Sequence, residues 1–438
     1  MPPSVLRVVA FVIGVVSVSG VAHMLFVRWI CTFAPRLREH RKKLWVVGGI
    51  LVFLPLVARW TARTFSSSLL LGLQAAVASE QMIVVLGALP LLLFMGGSSL
   101  VGAVVRRVRP KGEGAKGEGA KAEDAKGEEP AAAEESEGAK GEEPAAAEES
   151  EGAKGEGAAK EREPSPRLTR RDAVFRIAGA AAWGTTGAVL GWGLVRGRHS
   201  FVIEEVVVRI ARLPRALDGY TLAQVSDVHC GPFVGERELG EMSEAVRRIK
   251  PDLVVATGDL VDFDAARAPE LAAALVALPS RDGHLAILGN HDYYAGAGQV
   301  RAHLERAGVD VLVNQTRVIR PRDGGGIALV GVDDMWARPD LDVALSRVGA
   351  DAAKVLLAHQ PRYLDVAAGR VDLQLSGHTH GGQVNPGFRP ADLLMKYVSG
   401  RYERSGTVLW VNRGVGVAAV PSRVAAPPEV TKIVLVAG

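Results

Sequence analysis

Asp227-Val228-His229, Gly258-Asp259, Gly289-Asn290-His291-Asp292, Ala358-His359 and Gly377-His378-Thr379-His380 place carboxylates, imidazoles and one side-chain amide in five short groups along the last half of this chain. An all-nitrogen and oxygen donor set of this kind suits Mn, Fe, Zn or similar ions, whereas a thiolate site would select differently. Two such ions about 3.5–4 Å apart lower the pKa of a shared water and clamp a phosphoryl group, which are the main needs of phosphoester hydrolysis near neutral pH. A lone histidine behind an apolar run, such as His359, is ordinarily a core residue. Five groups in series point instead to a binuclear metal centre.

The elements that must position these groups are legible beside them. Each follows an apolar, β-branched run that reads as a buried strand, at 221–225, 253–256, 285–288, 355–357 and 373–375. Each therefore sits at the C-terminal tip of a strand, where open α/β sheets place their sites, and five tips on one sheet edge are expected to converge. His378 and His380 are two residues apart, as are Asp227 and His229, so in extended tips each pair projects from one face. Leu239, Met242, Val246 and Ile249 mark an amphipathic helix, and 271–278 and 300–307 predict two more. Late strands are expected at 327–332, 407–411 and 431–436. This pattern alone gives α/β with a mixed sheet.

The 438 residues average three unlike regions into a net charge of +4, and the two cysteines, Cys31 and Cys230, suggest no disulfide framework. Residues 1–110 read as a transmembrane helical region. Its first apolar stretch, 6–26, is long enough to cross a hydrocarbon core of about 30 Å. A second lies at 44–58, and the block 69–105 holds one span or two. Residues 111–166 are a Lys and acidic low-complexity linker in which 126–139 recurs unchanged at 140–153. With almost no bulky apolar residue it is expected to be a disordered tether. Residues 167–199 add another transmembrane helix with basic flanks, leaving 200–438 as the catalytic domain. The Arg and Lys residues of 28–43 favour the cytoplasm, which with four spans puts the catalytic domain on the periplasmic or extracellular side of the cell membrane.

The motif series resembles the calcineurin-like metallophosphoesterase superfamily, over roughly 201–438. The text around Ser226, Asp262, Gln383 and Asn412-Arg413-Gly414 is similar to its membrane-associated bacterial branch, typified by YkuE/YaeI-type phosphodiesterases. The resemblance implies a four-layer αββα sandwich and two divalent metal ions (Mn, Fe or Zn). It implies Asp227, His229 and His380 on the first metal, Asp259 bridging, and Asn290, His359 and His378 on the second. It gives His291 the substrate-side role, stabilising the phosphoryl group and protonating the leaving oxygen. Asp292 beside it is expected to orient the imidazole and favour its protonated form. Gln383 and Arg413 are the candidate substrate contacts, while Asp262 and Asp264 read as caps of the next helix. His284 and His303 fit no motif.

The function so implied is a membrane-tethered, metal-dependent phosphohydrolase, a diesterase rather than a monoesterase, acting on a phosphoester such as a phospholipid or lipid-linked sugar phosphate. No nucleic-acid partner is expected, because the catalytic part shows no basic groove interleaved with aromatics. A competing reading keeps the fold for a non-catalytic membrane sensor or binding protein; intact ligand positions argue against it. A transporter role is disfavoured by spans in which Glu80 is the obvious acidic residue.

Overall fold

A computed structural model of the chain describes residues 3–65, 73, 76–77, 79–89, 91–92, 169–320 and 325–438. The linker expected at 111–166 lies outside the described residues, as does most of the block 69–105. Met1–Phe94 and Val174–Gly438 form one compact unit, and Met95–Ala173 a second. In the second, Thr169 Oγ1 caps a helix by accepting from the Asp172 N–H (3.1 Å).

The helical part comprises α1 (Pro3–Phe33), α2 (Arg41–Phe65), α3 (Ser79–Leu89) and α4 (Arg170–Val195). Among the described residues, Val16–Phe33 and Arg170–His199 are long and apolar enough to cross a membrane, with 28% and 17% of those stretches buried by protein. A core helix of that length would be mostly covered. The short link between α1 and α2 carries Arg36 and Arg38 in a single 3₁₀ turn.

Among the described residues twelve strands follow: β1 (Val202–Ile210), β2 (Tyr220–Val225), β3 (Leu253–Thr257), β4 (His284–Ile287), β5 (Asp310–Val311), β6 (Gln315–Ile319), β7 (Ile327–Gly331), β8 (Ala353–Leu357), β9 (Leu373–Ser376), β10 (Gly400–Arg404), β11 (Thr407–Val411) and β12 (Glu429–Ala437). They make two six-stranded sheets, ordered β1-β12-β2-β3-β4-β5 and β10-β11-β9-β8-β7-β6. β2 to β5 run parallel in the first, and β7, β8, β9 and β11 in the second. Parallel strands covered on both faces read as continuous apolar runs, and β3, β7 and β8 are buried at every residue.

Alternate residues of one strand serve two cores. Leu253 and Val255 of β3 face the second sheet with Leu222, Leu285 and Ile287, meeting Leu329, Val355, Leu357, Leu373 and Leu375. Val254 and Ala256 face outward to α5 (Glu236–Ile249), α6 (Ala268–Val276) and α8 (Ala297–Ala307), through Met242, Val246, Leu271, Leu275, Val300 and Leu304. The second sheet's outer face is covered by α9 (Leu341–Leu345) and α10 (Leu364–Ala367), with Ala328, Val330 and Leu356 against Leu341, Ala344 and Ala367. This is the four-layer α/β/β/α sandwich. Each fully buried Leu or Ile between the sheets contributes about 1.5–3 kcal/mol, so the layer under the candidate ligands is well anchored.

The end of α4 meets the sandwich directly. Ser422 Oγ donates to Leu190 O (2.9 Å) and the Arg423 N–H to Gly193 O (3.3 Å).

Candidate metal centre

Five strand ends carry the candidate ligands, from two sheets rather than one edge. β2, β3 and β4 of the first sheet end shortly before Asp227, Asp259 and Asn290; β8 and β9 of the second end before His359 and His378. The expected single edge is corrected. Asn290 opens α7 (Asn290–Ala295).

Backbone conformation, rather than strand alternation, turns the ligands inward. Asp227, His229, Asp259, His378 and His380 have φ of 48°, 50°, 52°, 74° and 51°, so the extended tips expected at the paired residues are not what aligns them. Left-handed backbone at a non-glycine residue costs about 1–3 kcal/mol, offset here by hydrogen bonds across the strand ends. The Asp227 N–H donates to Gly258 O and the His229 N–H to Asp259 O (both 3.0 Å), and the His378 N–H donates to Asp227 Oδ1 (2.9 Å). Two glycines allow the approach: a Cβ on Gly289 would overlap Asp259 Oδ1, and one on Gly377 would overlap Ser226 Oγ and Asp227 Oδ2.

The result is three overlapping groups, Asp227–His229–His380, His229–Asp259–His291 and Asp259–His359–His378, each with its donor atoms within 4.8 Å of one another. His229 Nε2 and His380 Nε2 face each other at 3.1 Å, and Asp259 Oδ2 lies 3.1 Å from His359 Nε2 and 3.7 Å from His229 Nε2. Asn290 Oδ1 and His378 Nδ1 are buried with no hydrogen-bond partner. An unpaired buried acceptor costs about 1–3 kcal/mol; a metal ion between the groups removes that cost, so the residues fit a metal pair.

The electrostatics divide the ligand histidines. Burial, then the neighbouring His359, pushes His378 down to about 3, and burial with His229 and Arg423 holds His380 well below the usual imidazole value. Both rings are thereby kept neutral with lone pairs available, as a ligand requires. Burial opposes charge on His359 too, but Asp259 and Asp227 outweigh it and raise the ring to about 10. Asp259 is held well below the carboxylate range, its own burial being outweighed by His359, His291 and His229.

Several expected roles are reassigned. Asp292 does not touch His291: its carboxylate turns back to accept from the N–H groups of Leu260 (2.9 Å), Val261 (3.0 Å) and Gly289 (2.8 Å), clamping two ligand loops together. Burial and the charge of Asp259 push it up to about 7, against the pull of those donors. The partner of His291 is Asp262, whose Oδ1 lies 3.1 Å from His291 Nδ1 and 3.5 Å from His229 Nδ1. Asp262 is therefore no helix cap, whereas Asp264 is one, accepting from the Ala266 N–H. Gln383 is not free to meet substrate. Its amide donates to Ala418 O (3.0 Å) and Val420 O (2.7 Å) and accepts from the Ala418 N–H (2.9 Å). Arg413 is likewise engaged, by Glu204 (2.7 Å) and Glu429 (3.0 Å). His284 and His303 make local contacts with Leu278 O and Arg306.

The sequence reading missed Arg423. It is buried, donates to the carbonyls of Gly416, Ala426, Arg413 and Gly414, and comes within 3.3 Å of His380 Nδ1. Burial brings it down to about 9. It also missed a cleft of about 360 Å³ beside His378, lined by Trp336, Arg362, Leu394, Met395 and Lys396 among others. None of these follows a motif.

Comparison with known proteins agrees with this geometry. The model of the calcineurin-like phosphoesterase family matches residues 220–382. The chain is 32% identical over 280 residues to the metallophosphoesterase YkuE of Bacillus subtilis, covering 61% of this chain and 98% of that one. It is 33% identical over 243 residues to a metallophosphoesterase of Aquifex aeolicus (53% and 91% covered). A transmembrane protein with metallophosphoesterase domain from Danio rerio is 34% identical over 265 residues, which is 57% of this chain and 61% of that protein's own length. The transmembrane relative and the two apolar helices together support membrane association. Family membership carries metal-dependent phosphoester hydrolysis with it: the chain belongs to the calcineurin-like metallophosphoesterase family.

Proposed function

We propose that the chain is a membrane-tethered phosphodiesterase that uses two divalent metal ions on a phosphoester presented at the bilayer. The observation that carries the reading is the convergence of Asp227, His229, Asp259, His359, His378 and His380 in overlapping donor groups, together with the buried, unpaired Asn290 Oδ1 at the start of α7, after β4. Asp227, His229 and His380 would hold one ion, Asn290, His359 and His378 the other, and Asp259 would serve both. When bound, the metals supply an activated water and neutralise charge on the phosphoryl group. Asp262 fixes the His291 ring through Nδ1 and leaves its other nitrogen to hold the proton that the leaving oxygen needs. Asp292 and Arg423 act on the loops and not on substrate. Residues 1–110 and 167–199 serve as the membrane anchor, 111–166 as a tether, and 200–438 as the catalytic domain; the basic α1–α2 turn favours the cytoplasm and, with four spans, supports a catalytic domain outside a bacterial cell membrane.

The test uses the full-length, detergent-solubilised protein with Mn²⁺. The kcat/KM for bis(p-nitrophenyl) phosphate is expected to exceed that for p-nitrophenyl phosphate by at least about tenfold, or 1.4 kcal/mol of differential transition-state binding. The reverse ratio assigns the chain to monoesters.

A further inference from the structure

We infer that the substrate is an amphiphile whose alkyl or acyl chain lies in an apolar crevice between α3, α4 and the loop after His380, with its phosphate at the metal ligands. This rests on the phosphodiesterase reading above and adds to it the class of substrate and the place where its tail binds. The crevice, about 300 Å³, is walled by Leu86 and Leu89 of α3, Val189 and Leu190 of α4, and Val384 and Phe388 of the loop. Two walls are helices of the apolar N-terminal part; the third begins four residues after a metal-ligand candidate. Val384 and Val424 pack on Leu190, and Arg423, next to Val424, reaches His380.

The same loop runs on to the other cavity. Leu394, Met395 and Lys396 line the cleft beside His378, which Arg362 also faces. One segment, 384–397, therefore borders an apolar crevice at one end and a cationic cleft at the metal ligands at the other, the division of an amphiphile's tail and phosphate. Along it Phe388, Leu393 and Leu394 are 50%, 81% and 83% exposed. Water disfavours such a run of exposed apolar side chains, and clusters of them mark contact with membranes or partners. The tail of a lipid is the apolar chain at hand where α4 and its neighbour stand in a bilayer. A substrate tail is favoured over a bulk lipid because the loop that walls the crevice with Val384 and Phe388 also lines the cleft at His378 with Leu394, Met395 and Lys396.

The test measures hydrolysis of ethyl, octyl and tetradecyl p-nitrophenyl phosphate by the full chain in nanodiscs, beside Val189→Trp, which fills the crevice, and Phe388→Asp, which makes its exposed wall polar. Burying a methylene is worth about fourfold, so wild-type kcat/KM is expected to rise at least about tenfold from ethyl to octyl. Both variants keep the ethyl rate, which shows that they fold, and lose most of that rise. A flat series in the wild type overturns the inference. So does a rise that both variants retain, the result expected if partition into the membrane or a bulk lipid were responsible. Absence of turnover on every ester, the ethyl ester included, strikes the phosphodiesterase reading itself.

Discussion

Asp259→Asn is expected to lower kcat on bis(p-nitrophenyl) phosphate by about 10³-fold or more, equivalent to roughly 4 kcal/mol of barrier, and to reduce bound metal from two ions to one or none. Asp259 is a member of two of the three donor groups. Its Oδ2 lies 3.1 Å from His359 Nε2, and its Oδ1 accepts from the His291 N–H at 2.8 Å. The amide keeps the shape and removes the charge, so two cations held by these groups would lose the carboxylate they share. In a site this buried, that charge is poorly replaced by solvent. Metal content by elemental analysis and kcat on the same preparation check it. A variant holding two ions with near-normal turnover places the bridging group elsewhere.

His291→Asn is expected to lose about 10²–10⁴-fold in kcat, the usual contribution of a positioned proton donor, while metal content stays at the wild-type level. His291 is partly exposed, as is His378, where His229, His359 and His380 are buried, and its Nδ1 is committed to Asp262. Its loss should be larger on a phenyl ester than on the nitrophenyl ester, whose oxygen leaves with less need of a proton. Asp262→Asn weakens the contacts to His291 and to the ligand candidate His229 together and should cost about 10–100-fold, as removal of a ligand's outer partner commonly does. An equal loss on both esters assigns His291 to phosphoryl binding instead of proton transfer.

Much of the site was legible because of where the groups fall in the chain. Parallel strands buried on both faces leave unbroken apolar runs, so 253–256 and 355–357 announce β3 and β8, and the hydrophilic residue just past each run announces a tip. The partition into two sheets was not legible. β4 and β8 look alike locally, and the pairing that sends one to each sheet is set by contacts between distant segments. The left-handed backbone at Asp227, His229 and His380 was hidden for a related reason: Asp and His do not signal it as glycine does, and it persists only because the finished loops enforce it.

The errors among the polar side chains share a cause. Asp292 follows His291 in sequence, but as the third residue of a short helix it points back to the Gly289 N–H, as first-turn carboxylates do, and across to the N–H groups of Leu260 and Val261. Asp262 reaches His291 from another loop 29 residues away. Gln383 and Arg413 are taken up by Ala418, Val420, Glu204 and Glu429. Arg423 lies in an irregular segment with no periodicity, and only its burial against His380 reveals it. The contact of α4 with Ser422 and Arg423 is likewise invisible in sequence, since Gly193 reads there as one more small residue of an apolar helix.

The two-metal claim is tested most directly by titrating the chelated full-length protein with Mn²⁺, following bis(p-nitrophenyl) phosphate hydrolysis and counting bound ions per chain. Turnover is predicted to appear as the second equivalent binds, and Asn290→Ala, stripped of the lone amide ligand, is predicted to retain one ion and lose turnover. Full turnover after a single equivalent, or none with any divalent metal in a folded chain holding two, would contradict the account.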